Sequence, residues 1–454
     1  MSDKQITLEE ISNSDTAPKA AHIESSSFGD LPEDWTWEPS EEHLEYIESG
    51  ISNSQNKDGN GIPVSRIETI ANGVVNYEKV GYVNGEENYE KHRLKPGDLL
   101  FSNINSRKEI GKTAIYKGDK PLYHGMNLLR LRYDSGSLNP YFAYYVYDSP
   151  MAQDVFFRMS KAAVGQSSIN QSQMERFYLP RPALPEQRKI ATVLYTVDRA
   201  IEKTEEIVEQ KERVRTGLMQ DVFTGVDADS TKSVRLSAVD TEIPEHWEVK
   251  AVGEVSAQIT DGAHLTPDRS EDGYLLLSAR NVKNGYLDLS DVDYVPEEEY
   301  KRLIEKCNPQ PGDILISCSG TVGRVCEVPE DLEFALVRSA ALVKFDNSVL
   351  PSYAEKVLQS IGVQKQVKGY QTQSAQPNLF QGQIASLEIP IPPIEEQRNI
   401  AEKLDEISNS IDSEQRYKSR LKRLKQGLMQ DLLSGTVRTT DTNIEVPEEI
   451  AQYG

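Results

Sequence analysis

The chain has 454 residues, 37% hydrophobic and 27% charged, enough for two or three cored domains and too apolar for a disordered polyelectrolyte. No apolar run approaches bilayer length, and the opening MSDKQITLEE lacks a secretory apolar stretch, so a cytoplasmic protein without membrane contact is expected. Cys307, Cys318 and Cys326 form no CxxC pair and the six histidines no HxH or HxxxH pair, which speaks against a disulfide framework and against a metal site. The net charge of −22 opposes a uniformly basic surface of the kind that neutralises phosphates. Either the chain does not meet nucleic acid, or local basic patches act on a surface kept acidic for another reason, such as solubility in high salt.

In chain order, residues 1–30 carry Ser25–Ser27 and no periodicity, and read as a flexible arm. A first variable domain, 31–180, holds short apolar runs behind Pro-Gly turns, such as Asp98-Leu-Leu-Phe-Ser102, and a helical stretch over 138–157. A hinge with Pro180, Pro182 and Pro185 then opens a long helix within 181–225, since proline is tolerated in a first turn and not beyond it. Residues 226–242 read as a linker. A second variable domain spans 243–392, with Asp313-Ile-Leu-Ile-Ser317 as a strand and 350–368 as helix, and a second long helix lies within 393–436. A polar tail, 437–454, closes the chain.

The second half repeats the first. Leu179-Pro-Arg-Pro-Ala-Leu-Pro-Glu-Gln-Arg-Lys-Ile190 matches Ile389-Pro-Ile-Pro-Pro-Ile-Glu-Glu-Gln-Arg-Asn-Ile400, and Gly217-Leu-Met-Gln-Asp221 returns unchanged as Gly427-Leu-Met-Gln-Asp431. Leu31-Pro-Glu-Asp-Trp35 answers Ile243-Pro-Glu-His-Trp247, and Lys95-Pro-Gly-Asp-Leu-Leu100 answers Gln310-Pro-Gly-Asp-Ile-Leu315. A unit of about 200 residues is too long for a solenoid repeat and indicates a duplicated domain. Each helix carries an apolar seam: Ile190, Leu194, Val197, Ile201, Thr204, Val208, Leu218 and Val222 in the first, Ile400, Leu404, Ile407, Ile411, Leu421, Leu424, Leu428 and Leu432 in the second. The second seam is interrupted around Glu414 and Lys418. A seam about 58 Å long must be buried, and the other copy is the available partner. Antiparallel pairing would put the variable domains at opposite ends, giving an α+β chain with internal pseudo-two-fold symmetry.

Three near-motifs invite a catalytic reading, and each lacks a part. Gly111-Lys112-Thr113 resembles the end of a phosphate-binding loop, but Ser106 stands where its first glycine belongs. Asn139-Pro-Tyr-Phe142 lacks the second proline of the Asn-Pro-Pro-Tyr box and has no glycine-rich cofactor loop upstream, so a helix start explains it better. Asp268 and Glu271 are followed by Gly273 where a nuclease carboxylate set needs lysine. No catalytic residue is assigned.

The hinge-plus-helix signature ending in Gly-Leu-Met-Gln-Asp strongly resembles the specificity subunits of type I restriction–modification systems. So do Lys95-Pro-Gly-Asp-Leu-Leu-Phe-Ser-Asn-Ile-Asn-Ser106 with Gly111-Lys-Thr-Ala-Ile115, Gln166-Ser-Ser-Ile-Asn170, and Thr260-Asp-Gly-Ala-His-Leu-Thr-Pro267. The resemblance covers about 31–436. It implies two α/β target-recognition domains separated by two long antiparallel coiled-coil helices, which act as a ruler between the halves of an asymmetric site in double-stranded DNA. It further implies two methyltransferase subunits on the helices and added restriction subunits, with S-adenosylmethionine, ATP and Mg2+ held by those partners and no cofactor in this chain. A coiled-coil scaffold that never meets DNA is the alternative, favoured by the acidity.

Base edges need donors and acceptors, and phosphates need cations. Candidates for DNA contact in the first domain are therefore Asn103, Asn105, Ser106, Arg107, Lys108 and Lys112, with Gln166, Ser167 and Ser168. In the second they are Ser317, Ser319, Thr321 and Arg324, with His264, Thr266, Arg280 and Asn281.

Overall fold

A computed structural model describes residues 31–70, 73–84, 89–163, 166–224, 230–236, 239–371 and 378–453; the expected arm 1–30 lies outside them. The chain forms two compact units, Met1–Thr204 with Tyr417–Gly454, and Glu205–Arg416. The two long helices, Leu184–Thr224 and Ile394–Leu433, therefore each contribute one half to either unit. At about 1.5 Å per residue each rod is about 60 Å long.

In the first unit, Ile190, Ala191 and Leu194 of the first rod share a buried core with Met429, Leu432 and Leu433 of the second. In the other unit, Phe223, Leu218, Met219 and Val222 from the end of the first rod meet Ile400 and Leu404 from the start of the second. Early residues of one rod thus face late residues of the other in both units, so the rods run antiparallel. Of the remaining seam residues, Ile411 and Leu421 are buried, while Val197, Ile201, Ile407 and Leu428 are half-buried. The interruption near Glu414 is filled from the opposite rod, where Lys211 Nζ reaches Glu414 Oε1 at 2.8 Å and Ser410 Oγ at 2.7 Å. Leu424, expected in the seam, is 51% exposed. Its place inside is taken by Lys425, whose ammonium lies 2.9 Å from Asp198 and 3.0 Å from Asp148, so that layer is ionic rather than apolar.

Each unit builds its head around the same sheet. A four-stranded sheet orders Leu44–Ser49, Leu129–Tyr133, Leu99–Phe101 and Thr113–Ile115 in the first; Ser256–Asp261, Ala340–Phe345, Ile314–Ser317 and Val325–Glu327 follow the same order in the second. A two-stranded ladder ties the entry of each head to its hinge: Thr36–Pro39 with Tyr178–Arg181, and Glu248–Ala251 with Glu388–Ile391. The expected helices 138–157 and 350–368 each prove to be two. Pro140–Asp148 and Pro150–Met159 are separated by Ser149, and Pro351–Gln359 and Ile361–Gln371 by Ser360; both serines have extended backbones. Pro150 explains the first break, because proline disfavours the helical conformation in the residue before it.

The repeated motifs are structural devices. Gln187 and Gln397 are fully buried, and each donates to a hinge carbonyl (Pro182, Pro392) at 2.9 Å. Each also accepts from the backbone N–H just before the head's helix, Asn139 at 2.9 Å and Leu350 at 2.8 Å. The glutamate before each glutamine accepts from the entry tryptophan: Trp35 Nε1 to Glu186 at 3.1 Å, Trp247 Nε1 to Glu396 at 2.8 Å. Asp98 and Asp313 close the Pro-Gly-Asp turns on the backbone N–H of Lys95 and Gln310, and are themselves held by Arg132 and Lys344.

Two expectations fail at the segments that follow the rods. The supposed linker is, over Thr231–Leu236 and Val239–Pro244, an antiparallel hairpin in the second unit, with Leu236 and Ile243 buried. The supposed polar tail is docked on the first unit. Ile450 is fully buried, Asn139 Nδ2 donates to the Ile450 and Tyr453 carbonyls at 3.1 Å, and Lys189 Nζ donates to those of Thr440 and Thr442 at 2.8 Å. Arg438 clasps both Glu186 (2.8 Å) and Asp34 (2.6 Å) and lies over the Trp35 ring. Val446 and Tyr453 pack on the same core as Ile450, contacts that composition does not reveal.

Replacing Gln187 or Gln397 with alanine strands a buried N–H and a hinge carbonyl, so a stability loss of about 2–4 kcal/mol is expected by denaturant titration. Burial works to raise the Glu186 carboxyl pKa, but Arg438, the Thr439 N–H and Trp35 outweigh it and leave it below its ordinary value. A depressed carboxylate stabilises the fold above its unfolded pKa and ceases to do so as pH falls through the folded value. The stability difference between the native chain and Arg438→Met should therefore be full near pH 7 and shrink below about pH 4. A difference independent of pH would show that Arg438 acts through packing alone.

Candidate nucleic-acid interface

The sequence-derived candidates gather on one loop system in each head. In the first, Ile104–Asn105, Gln166–Ser168 and Lys161–Ala163 form a three-stranded sheet, with Ser167 opposite Asn105. The loop after Phe101 and the segment before the hinge are thus one surface. Ile169 donates its N–H to the Asn103 carbonyl at 2.9 Å; in the other head Leu379 does the same to Cys318 at 2.9 Å, and Ser319 bridges to Asn378.

Within these loops, roles divide by burial. Asn103, Ser167, Asn281 and Ser317 are buried, contrary to a base-reading role for their side chains. Asn103 Nδ2 donates to the Ile169 carbonyl at 3.4 Å. Ser317 Oγ donates to the Thr321 carbonyl at 2.6 Å and accepts from Arg324 N–H at 2.9 Å, bracing its loop. Asn281 accepts from Ser278 and donates to the Asp288 and Asp291 carbonyls, which saturates its amide. Asn105, half-buried, spends its amide on Ser102 Oγ and the Ser106 N–H. The side chain of Gln166 lies outside the described residues.

Ser106, Arg107, Lys108 and Ser168 are exposed in the first head; His264, Thr266, Arg280 and Thr321 are exposed in the second, with Ser319 and Arg324 half-buried. Lys112 is paired with Glu109, and Arg280 lies 3.2 Å from Asp293. The Arg107 guanidinium stacks 4.1 Å above the ring of Phe157, a residue that is itself 41% exposed. Stacking holds the cation in place without neutralising it, leaving local positive charge on an acidic chain. Sequence reading missed Phe157, because a ring under an arginine carries no fixed spacing.

Gly111 and Gly323 close the two loops with φ of +86° and +87°. A Cβ on Gly111 would stand 2.6 Å from the Phe156 ring, and one on Gly323 would stand 3.0 Å from Gln364 and Val367. Gln153 and Gln364 fasten these glycine carbonyls at 3.0 and 2.9 Å. The Gly-Lys-Thr string is thus a turn whose carbonyl is spent on the adjacent helix. Asn139 is likewise a helix cap, accepting from Tyr141 and Phe142 N–H. The three cysteines are buried, each thiol pushed up to about 12 by burial, and no metal-holding cluster occurs among the described residues.

Comparison with known proteins agrees with this duplicated layout. The family model described as type I restriction modification DNA specificity domain matches twice, over residues 32–210 and 244–423. The chain is 32% identical over 437 residues to a putative type I restriction enzyme MjaX specificity subunit of Methanocaldococcus jannaschii, covering 92% of this chain and 97% of that one. It is 23% identical to the type I restriction enzyme EcoBI specificity subunit of Escherichia coli, covering 88% and 85%. Among solved structures, the S subunit of a type I restriction–modification system from M. genitalium superposes with a TM-score of 0.56 at 16% identity, covering 89% of this chain and 96% of that one. A chain from a study of complex assembly and conformational transition in the type I R-M system gives 0.53 at 17% identity, covering 90% and 100%. These structural likenesses speak for the fold.

Alanine at Gly111 should destabilise the chain by on the order of 2 kcal/mol or more, through left-handed backbone strain and the Phe156 contact. The same change at Gly323, with a similar φ but with its nearest contacts, Gln364 and Val367, at 3.0 Å rather than 2.6 Å, should cost less. Paired thermal melts measure both, and equal losses would contradict the packing difference.

Proposed function

Because this chain belongs to the type I restriction–modification specificity-subunit family, we propose that it reads a bipartite, asymmetric sequence in double-stranded DNA, one half by each head. The observation that carries this reading is one scaffold used twice with unlike exposed loops: Ser106, Arg107 and Lys108 in one head, Gly320 and Thr321 in the other. Identical loops would read a palindrome; different loops read different bases. The exposed cations supply the local attraction to phosphate that the overall charge of −22 lacks.

In this proposal the rods set the spacing between half-sites and present the surface on which two methyltransferase subunits, and then restriction subunits, assemble. The chain is non-catalytic and binds no cofactor; S-adenosylmethionine, ATP and Mg2+ belong to the partners, and the complex works in the cytoplasm. Two of the three near-motifs, Gly111-Lys112-Thr113 and Asn139, are spent on a turn and a helix cap in this chain, which supports assigning the reactions elsewhere. A scaffold that never meets DNA draws only on the acidity, and the exposed Arg107 stack has no function in it.

The test is an exchange of residues 40–135, a segment that leaves Trp35, Asn139 and Glu186 in place, for the matching part of another family member. Methylated adenines are then mapped in cells carrying the partner subunits. One half of the methylated motif should change and the other persist; an unaltered motif contradicts the proposal. Arg107→Ala should weaken binding at all sequences and reduce the slope of log affinity against log salt by about one.

A further inference from the structure

The second head carries two apolar side chains where the first carries amides, and both are exposed. Leu265 is 73% exposed and Phe380 is 63% exposed. Phe380 occupies the position that precedes the short helix Gln381–Ala385, where it makes no side-chain cap. Its counterpart in the first head is Asn170, whose Oδ1 accepts from Gln173 N–H at 2.8 Å. The rest of the arrangement is retained, since Phe380 N–H donates to Gln383 Oε1 at 2.9 Å just as Asn170 N–H does to Gln173 at 2.9 Å. Phenylalanine at a helix N-cap forgoes a bond worth about 1 kcal/mol and leaves a ring in water. Local rules broken without a gain in folding mark functional positions.

Leu265 sits in the equally duplicated Gly262-Ala263-His264-Leu265 turn. Ala263 N–H donates to the Leu336 carbonyl at 2.8 Å, as Ile51 donates to His124 at 2.8 Å, which aligns Leu265 with Asn53. The residues next to them in the chain share one carboxylate: Asp261 Oδ1 accepts from Gln381 Nε2, beside Phe380, and lies 3.1 Å from Nε2 of His264, beside Leu265, which brings the two segments to one edge of the head. Asp261 is partly exposed there.

Resting on the reading that this head contacts DNA, we propose that Leu265 and Phe380 hold the 5-methyl group of a thymine in the half-site read by the second head. That methyl lies in the major groove, and the carboxylate suits that groove. The minor-groove edge of an A·T pair offers only acceptors, which Asp261 repels, whereas the major groove offers adenine and cytosine amino donors beside the thymine methyl. The first head, with Asn53 and Asn170 at the matching places, has no such preference.

The experiment uses the full chain assembled with its methyltransferase partners and duplexes bearing the motif found by methylation mapping. Each thymine of the second half-site is replaced in turn by deoxyuridine, which lacks only the methyl group. At one position the native complex should bind about fourfold more weakly, the effect of losing the burial of roughly one methyl group. The variants Leu265→Asn and Phe380→Asn should bind thymine and uracil duplexes alike. The thermal midpoint of Phe380→Asn should lie at or above the native value, because the introduced amide restores the missing helix cap. Uracil without effect at every position overturns the proposal, as does an undiminished uracil effect in both variants; so does a variant defect on thymine and uracil alike, which would mark a wedge between bases. A complex that yields no methylated motif removes the DNA-reading function itself, and with it this proposal.

Discussion

A 41-residue amphipathic helix with a single apolar seam cannot stand alone in water, and the whole chain is organised around burying two of them. Each seam finds its complement in the other copy of the repeat. Ile190 and Leu194 lie in a core with Met429 and Leu432, and Ile400 and Leu404 in a core with Phe223. Because the pairing is antiparallel, each unit is assembled from both halves of the sequence. The polar stretches are handled by specific pairs, Lys211 with Glu414 and Lys425 with Asp198, which fix register where apolar packing would not.

The heads are attached to the rods by a small set of buried polar contacts. A proline-rich hinge leaves carbonyls without helical partners, and one glutamine in each copy supplies what is missing while also holding the backbone at the start of a head helix. The adjacent glutamate bonds the tryptophan at the head's entry. This accounts for the Glu-Gln-Arg string appearing in both copies while the loops between diverged: the string sets the joint, and the loops are free to change what they touch.

The rods, their ends and the duplication were legible because they rest on periodicity, proline placement and repeated strings. What escaped reading depends on contacts between distant residues. The tail 437–454 looks like solvent-exposed chain, yet Arg438, Ile450, Tyr453 and backbone bonds to Asn139 and Lys189 dock it on the first unit. The hairpin of Thr231–Leu236 and Val239–Pro244 looks like a linker because the exposed residues of its first strand, Thr231, Ser233 and Arg235, are polar. Among the interface candidates, residue type alone could not separate Ser317, whose hydroxyl braces its own loop, from Thr321, which faces solvent. The exposed Leu265 and Phe380 went unnoticed for the opposite reason, since searching loops for polar residues passes over apolar ones.

The most direct test of the internal antiparallel pairing is a short thiol-to-thiol cross-link between Lys211→Cys and Glu414→Cys in one chain, read as a mobility shift at monomer mass. The native cysteines are buried and leave a clean background. Efficient intramolecular linkage of 211 to 414, with none between Lys211→Cys and Lys422→Cys, is the result this account requires. Linkage of 211 to 422, as parallel rods would give, or linkage only between separate chains, would contradict it.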